Sequence, residues 1–320
     1  MDMVKQNFFK THAELKSTYW YQYVRISDPK EIEKSITEEF VELGGNQVHL
    51  DIYNPPKSEK IIGTVIFIHG TSIYSRFYAD FCYNLMLNGF RVIAPDMPGH
   101  GLSEGFPGHF TMKSVIITLK SLISIILERY SGNIAVMGSS LGGISSLYAI
   151  SGDDRIKTAV CHNAAIFNEE AYKHIVHVKG FFKLLMHLVP TFAQLFPKLR
   201  LDVFNYLPAE SLVNTPEGFD FFKIFSTDPL LQRKYTLTAL RTQMKDALPV
   251  SVEKINKPIM LINGDQDGLF SIKYMQSIYD RLSNKDKEFV IIKNAAHLII
   301  QEHTKEVLDS VIPFLKNHLK

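Results

Sequence analysis

The stretch Asn133–Gly143, NIAVMGSSLGG, constrains the chain more than any other. Ile134 to Met137 are apolar enough for a buried strand, and a helix begins at about Leu141. Between them stand Gly138, Ser139 and Ser140, followed by Leu141, Gly142 and Gly143. A strand, then G-x-S-x-G, then a helix drives the backbone through a turn so tight that its tip, Ser140, is strained. Side chains two residues before and after the tip would collide, so Gly138 and Gly142 occupy those positions. Gly143 lets the helix approach the sheet. The helix N-terminus then turns free N–H groups and the positive end of its dipole toward the serine oxygen. The alternative is a glycine-rich strand–helix turn that only packs, because short motifs of this kind also arise by chance.

The flanking pattern favours the first reading. Strand-like runs ITEEFVEL, QVHLDIYN, GTVIFIHG, RVIAPD, NIAVMG and IKTAVCHNA alternate with helix-like runs from about residue 35 to 167. The middle strands are continuously apolar, as parallel strands covered on both faces are. The first two alternate, as an antiparallel edge does. From 168 to 250 the rhythm gives way to helical, aromatic-rich segments with no convincing strand. PIMLING, a helix over Ile272–Leu282, EFVIIKN and a final helix over Gln301–His318 restore it from 251 to 320. The expected fold is therefore α/β: a mostly parallel central sheet flanked by helices, in two sequence segments interrupted by a helical cap insertion. Residues 1–34 read as a helical leader without legible chemistry.

A serine hydroxyl needs a base to take its proton, and the base needs an orienting carboxylate. With a serine elbow the chain order is serine, acid, histidine. Asp265 and Asp267 follow the strand PIMLIN, and His297 follows EFVIIKN. The C-terminal ends of parallel strands share one rim, so Ser140, Asp267 and His297 can converge there. Asp265 competes for the acid role or caps the turn. His297 could instead be a core or capping histidine, and His303 is a rival inside the last helix. A developing oxyanion needs donors. The N–H groups of Thr71, after the turn at Gly70, and of Leu141 are placed to supply them, with His69 bracing the loop.

Composition narrows the alternatives. The 320 residues are 46% hydrophobic and 21% charged with a net charge of +2, so nothing favours nucleic acid globally. Cys82 and Cys161 lie far apart, which argues against a disulfide framework and for a reduced, cytoplasmic setting. The N-terminal residues carry no apolar signal-peptide core. Ser114–Tyr130 is the nearest approach to a membrane span. Lys120 interrupts it and its apolar residues keep helical spacing, as in a buried helix.

Three landmarks occur in order: His69-Gly70 after the third strand, APDMPGHGLSEG (Ala94–Gly105) after the fourth, and the elbow after the fifth. With Asp267 and His297 the chain resembles the α/β-hydrolase superfamily, and within it the monoacylglycerol lipase and lysophospholipase group with its serine-aminopeptidase-like members. The resemblance covers about residues 36–166 and 250–320. It implies Ser140 as nucleophile, Asp267 as acid, His297 as base, and the Thr71 and Leu141 N–H groups as the oxyanion hole. It implies no metal or organic cofactor. His100 and Ser103 would organise a loop. Many family lipases carry histidine where this chain has Ser139, and G-E-H where it has Thr71-Ser72-Ile73.

In the insertion, Phe181, Leu185, Phe192 and other apolar residues near helical spacing interleave with Lys173, Lys179, Lys183, Lys198 and Arg200. Phe181, Leu185 and Phe192 are candidates to line a lipid-ester site. A basic amphipathic helix can also rest on an anionic membrane surface; the plainer alternative is a lid packed on the core. The leading expectation is a serine esterase for a lipid-like ester. Thioesterase, acyltransferase or aminopeptidase chemistry with the same triad is an alternative, and a non-catalytic binding protein is another.

Overall fold

Eight strands make one sheet in the order β1-β2-β4-β3-β5-β6-β9-β10. They are β1 Ile36–Leu43, β2 Asn46–Tyr53, β3 Gly63–Ile68, β4 Phe90–Pro95, β5 Ile134–Ser139, β6 Ile156–His162, β9 Ile259–Gly264 and β10 Lys287–Ile292. Within this sheet the pairs β1/β2 and β2/β4 are antiparallel and the others are parallel. The computed structural model describes all residues except 1–9, 57–59, 131, 175–186, 206–211, 216–222 and 224–226.

The period of two along a buried strand divides the core. In β3, Ile66 and Ile68 pack on one face and Val65 and Phe67 on the other; in β5, Ile134 and Val136 oppose Ala135 and Met137. Both faces are covered, hence the continuous apolar runs. The segment weighed as a membrane span is the helix Met112–Arg129, capped by Thr111 Oγ1 accepting from Ser114 N at 3.0 Å. Its Val115, Leu119, Leu122, Ile123 and Ile126 are buried against the sheet. No described helix is long and apolar enough to cross a membrane. Cys82 and Cys161 are free and buried.

The leader packs into the fold: Trp20, Tyr23 and Ile32 are buried in the core cluster that holds Phe67 and Phe77. Two expectations need correction. The insertion between β6 and β9 contains strands, β7 Arg200–Asp202 and β8 Lys234–Thr236, paired antiparallel. Three residues are too few to show a period. The last helix is two, Ile299–Glu302 and Thr304–His318, so His303 stands at their junction and not inside a helix.

Candidate active site

The sheet order puts the ends of β3, β5, β6, β9 and β10 side by side. At the end of β5 the backbone reverses through Ser140, whose φ of 55° and ψ of −117° are unusual for a residue with a side chain. The elbow leaves no room for side chains around it. A Cβ on Gly138 would stand 2.4 Å from the Gly142 carbonyl, and one on Gly142 would stand 2.0 Å from Ile68 O. Ser140 N–H donates to His162 O at 2.9 Å, tying the turn to the end of β6. Ser140 is partly exposed, whereas Ser139 is buried and its Oγ lies 2.8 Å from His162 Nδ1.

Asp267 follows β9 and is held on both oxygens. Oδ1 accepts the N–H groups of Leu269 and Phe270 at 2.7 and 3.0 Å. Oδ2 accepts from Asn163 Nδ2 at 3.0 Å and faces His297 Nδ1 at 2.9 Å. Burial alone would raise the Asp267 pKa; the His297 ring beside it, with the N–H donors, lowers it to about 2. Asp267 is thus an anion across the working pH range. Asp265 is instead a turn residue: its Oδ1 accepts from Ala295 N at 3.3 Å. His297 is buried, and both its N–H and that of Leu298 donate to Leu212 O of the insertion at 3.1 Å. Its Nδ1 donates to Asp267, which leaves Nε2 as the basic nitrogen. Among the described residues Ser140 Oγ makes no hydrogen bond to His297. Such contacts often tighten only around substrate.

The backbone N–H groups of Thr71 and Leu141 have no acceptor among the described residues. His69 braces this side as expected. Its Nε2 accepts Met97 N–H at 2.9 Å, so the proton sits on Nδ1, which donates to Gly70 O at 2.9 Å. Gly70 does not take a positive φ; it is needed because a Cβ there would lie 3.0 Å from Ser139 O and 3.3 Å from Ser140 Cβ. Ser103 bridges Asp96 O at 2.5 Å and His49 N at 2.8 Å, a loop-holding role.

Of the expected lining residues, Phe181 and Leu185 lie outside the described residues. Phe192 sits on the helix Val189–Leu195, which packs on the helix Leu237–Lys245 through Val189 and Ala193. Phe192 is not part of that packed cluster and is 46% exposed. Lys173 is paired with Glu170 at 2.6 Å. Lys179 and Lys183 lie outside the described residues.

His162 and Asn163 were not singled out from sequence, although IKTAVCHNA places them at a strand end on the same rim. The His162 and His297 ring centroids are 5.3 Å apart. Burial, then the neighbouring His297, lowers the His162 pKa to about 3, so its ring is neutral. His162, Asp267 and His297 each bring one possible metal ligand within 4.8 Å of the others, and so do His12, Glu38 and His49. In the first trio Asp267 and His297 are already bonded to each other, the carboxylate orienting the ring.

Comparison with known proteins identifies the family of the chain. The family described as serine aminopeptidase, S33 matches residues 59–304. A monoacylglycerol lipase of Mycolicibacterium smegmatis is 21% identical over 287 residues, covering 88% of this chain and 96% of the relative. The crystal structure of Paleococcus ferrophilus monoacylglycerol lipase aligns with a TM-score of 0.69 at 22% identity, over 85% of this chain and 99% of that one. A soluble variant of Saccharomyces cerevisiae monoglyceride lipase, solved with a substrate analogue, aligns with a TM-score of 0.71 at 15% identity, over 89% and 96%.

Proposed function

The chain belongs to the serine aminopeptidase (S33) family of α/β-hydrolases, and from that premise we propose that it cleaves carboxylic esters of lipid-like substrates, monoacylglycerol or lysophospholipid in type. The observation that carries the reading is the buried Asp267–His297 pair, at 2.9 Å, on the same sheet rim as the strained, partly exposed Ser140. In this mechanism His297 Nε2 takes the Ser140 proton as Oγ attacks the ester carbonyl. The imidazolium so formed is stabilised by Asp267, whose other contacts keep it ionised. The Thr71 and Leu141 N–H groups bind the oxyanion. His297 returns the proton to the leaving alcohol, and water then cleaves the acyl-enzyme by the same steps in reverse roles.

The lipid-like substrate is favoured by the insertion, which we take as a cap over residues 168–250. Leu188, Phe192, Leu195, Phe196 and Leu199 are exposed along and just beyond its Val189–Leu195 helix. Lys198 Nζ and Arg200 Cζ lie 5.2 and 5.6 Å from the ring centroid of Phe106, itself 40% exposed. An apolar face with a cationic rim suits an anionic lipid surface, so we assign this chain peripheral contact with membranes. Aminopeptidase action would need a free carboxylate for the substrate amine. At the start of the insertion Glu169 and Glu170 are committed, Glu169 to Arg281 at 2.6 Å and Glu170 to Lys173 at 2.6 Å.

A hydrolysis panel decides the matter: p-nitrophenyl esters, monoacylglycerols, lysophospholipids and aminoacyl amides. Hydrolysis of the lipid esters is expected; cleavage of the amides alone would replace this reading with the peptidase one.

A further inference from the structure

We propose that Tyr235, a residue of the insertion, is a positioning residue that sets the oxyanion donor Thr71 through its phenolic oxygen. This rests on the serine-hydrolase reading of the site. The N–H of Thr71 belongs to the peptide plane that carries Gly70 O, and in a trans peptide the two point opposite ways. The His69 ring holds Gly70 O at 2.9 Å, which fixes that plane from one side. The next plane carries Ser72 N–H, which donates to Tyr235 Oη at 2.6 Å. The plane after it carries Ser72 O, which accepts from Gln232 N at 2.9 Å. Three successive planes around Thr71 are therefore pinned, two of them by the insertion. Ser72 is buried with φ of 71°, a conformation that a residue with a side chain does not hold unaided.

Tyr235 is itself held. It is fully buried between Phe110 and His100, and its Oη lies 2.7 Å from His100 Nε2. Because Tyr235 Oη accepts from Ser72, its single proton goes to His100 Nε2. His100 then carries its own proton on Nδ1, which points at Pro98 O 3.3 Å away. Burial, then the neighbouring His69, lowers the His100 pKa to about 3, in keeping with a neutral acceptor ring. The result is a one-way chain from Ser72 N–H through Tyr235 to His100 and Pro98, whose members polarise one another. A second tie runs nearby: Asp228 of the insertion accepts from Tyr74 Oη at 2.8 Å and from Tyr23 Oη at 2.7 Å. The insertion thus does more than cover the site: it shapes the loop that receives the oxyanion.

The test is Tyr235→Phe, which keeps the ring and removes the bridging oxygen, with His100→Asn as a second variant that leaves Tyr235 in place. Each is assayed with p-nitrophenyl butyrate and with an alkyl boronic acid, a tetrahedral adduct former, at a temperature where circular dichroism shows an intact fold. Loss of a whole oxyanion donor costs about 100- to 1,000-fold in kcat. A misaimed donor should cost less, roughly 10-fold for Tyr235→Phe, with KM within about twofold and boronic acid affinity falling in parallel. Adding Ser72→Gly, which relieves the positive φ, should recover part of the loss. Folded variants that melt earlier but keep wild-type kcat and boronic acid affinity overturn the inference. Wild-type protein that hydrolyses no ester and takes no boronic acid overturns the serine-hydrolase reading, and this inference with it.

Discussion

Ser139 Oγ lies 2.8 Å from His162 Nδ1, while the backbone carbonyl of His162 receives the N–H of Ser140 at 2.9 Å. One residue at the end of β6 therefore engages both serines of the elbow in different ways. It engages the hydroxyl of Ser139, whereas that of Ser140 makes no hydrogen bond among the described residues. The choice between two adjacent serines, open to argument in a bare motif, becomes a matter of which hydroxyl is already committed.

The first prediction concerns that choice. Ser140→Ala should abolish fluorophosphonate labelling and ester hydrolysis in a protein that remains folded. Ser139→Ala should still be labelled. It loses one buried hydrogen bond to a neutral ring, worth about 1 kcal/mol of stability. Mass spectrometry of the labelled peptide locates the adduct; labelling on Ser139 would reverse the assignment.

The acid and base should separate sharply in size. His297→Ala should match Ser140→Ala, a loss of several orders of magnitude in kcat. Asp267→Asn should cost about 10³- to 10⁴-fold, because it removes the anion that orients and stabilises His297. Asp265→Asn, whose carboxylate among the described residues meets a turn N–H and Lys293 at 4.0 Å, should stay within about threefold. Single-turnover kinetics on the three variants gives the order; a larger loss at Asp265 than at Asp267 would move the acid.

Far from Ser140 in sequence, His49 anchors a buried ionic cluster that makes stability pH-dependent. Its Nε2 lies 3.1 Å from Glu38, and its Nδ1 lies 3.1 Å from Asp96 Oδ2 as an ion pair without good hydrogen-bond alignment. Arg76 joins Asp51 at 2.6 Å and Glu38 at 3.0 Å, and His12 packs 5.5 Å from the His49 ring. Burial would lower the His49 pKa, but Asp96 and Glu38 raise it from 6.5 to about 10. A raised base contributes fully below 6.5 and loses its contribution as pH rises through 10. Burial, then Arg76, lowers His12 to about 4, so the unfolded chain takes that proton first and stability declines from pH 6.5 toward 4. Glu38, lowered to about 2 by His49 and Arg76 against its burial, adds a loss as pH falls from 4.5 through 2. Urea unfolding across pH 4 to 10 should therefore peak near pH 6.5. His49→Gln should be less stable at neutrality and lose the alkaline slope; an unchanged slope would refute its source in His49.

The strands of the eight-stranded sheet and the places of Ser140, Asp267 and His297 on its rim were legible because they depend on local signals. Unbroken apolar runs mark strands buried on both faces, and residues just past a parallel strand must lie on the rim. Ser140, Asp267 and His297 each follow such a run. Tyr235 was not legible: it meets Ser72 from 163 residues away, and the strand around it has only three residues. The packing of the leader was not legible for a related reason. Its helical pieces of four, five and seven residues are too short for periodicity to show which side they bury, yet Trp20 and Ile32 are fully enclosed. Break points such as His303 depend on how two helices pack, which no single run of residues records.

The last prediction tests the insertion as a lipid contact. Its exposed Phe192, Leu195 and Phe196 lie on or at the end of one short helix that is packed through Val189 and Ala193. Full burial of such a side chain in an apolar phase contributes about 1.5–3 kcal/mol. Replacing Leu195 and Phe196 by serine should then weaken partition onto vesicles by about 100-fold if both enter the lipid. Lys198 and Arg200 stand at the rim of the same face, and a basic residue near an anionic surface contributes about 1 kcal/mol. Lys198→Gln with Arg200→Gln should weaken binding to phosphatidylserine vesicles by roughly 30-fold at low salt, with little effect in 0.5 M salt where the attraction is screened. Neither pair touches the Asp267–His297 rim, so hydrolysis of p-nitrophenyl butyrate should remain within about twofold. Activity on a lipid ester presented in vesicles should fall with the binding. Vesicle co-sedimentation measures the partition directly. Wild-type protein that stays in the supernatant at low salt would leave the esterase chemistry standing and reduce the exposed face to ordinary surface.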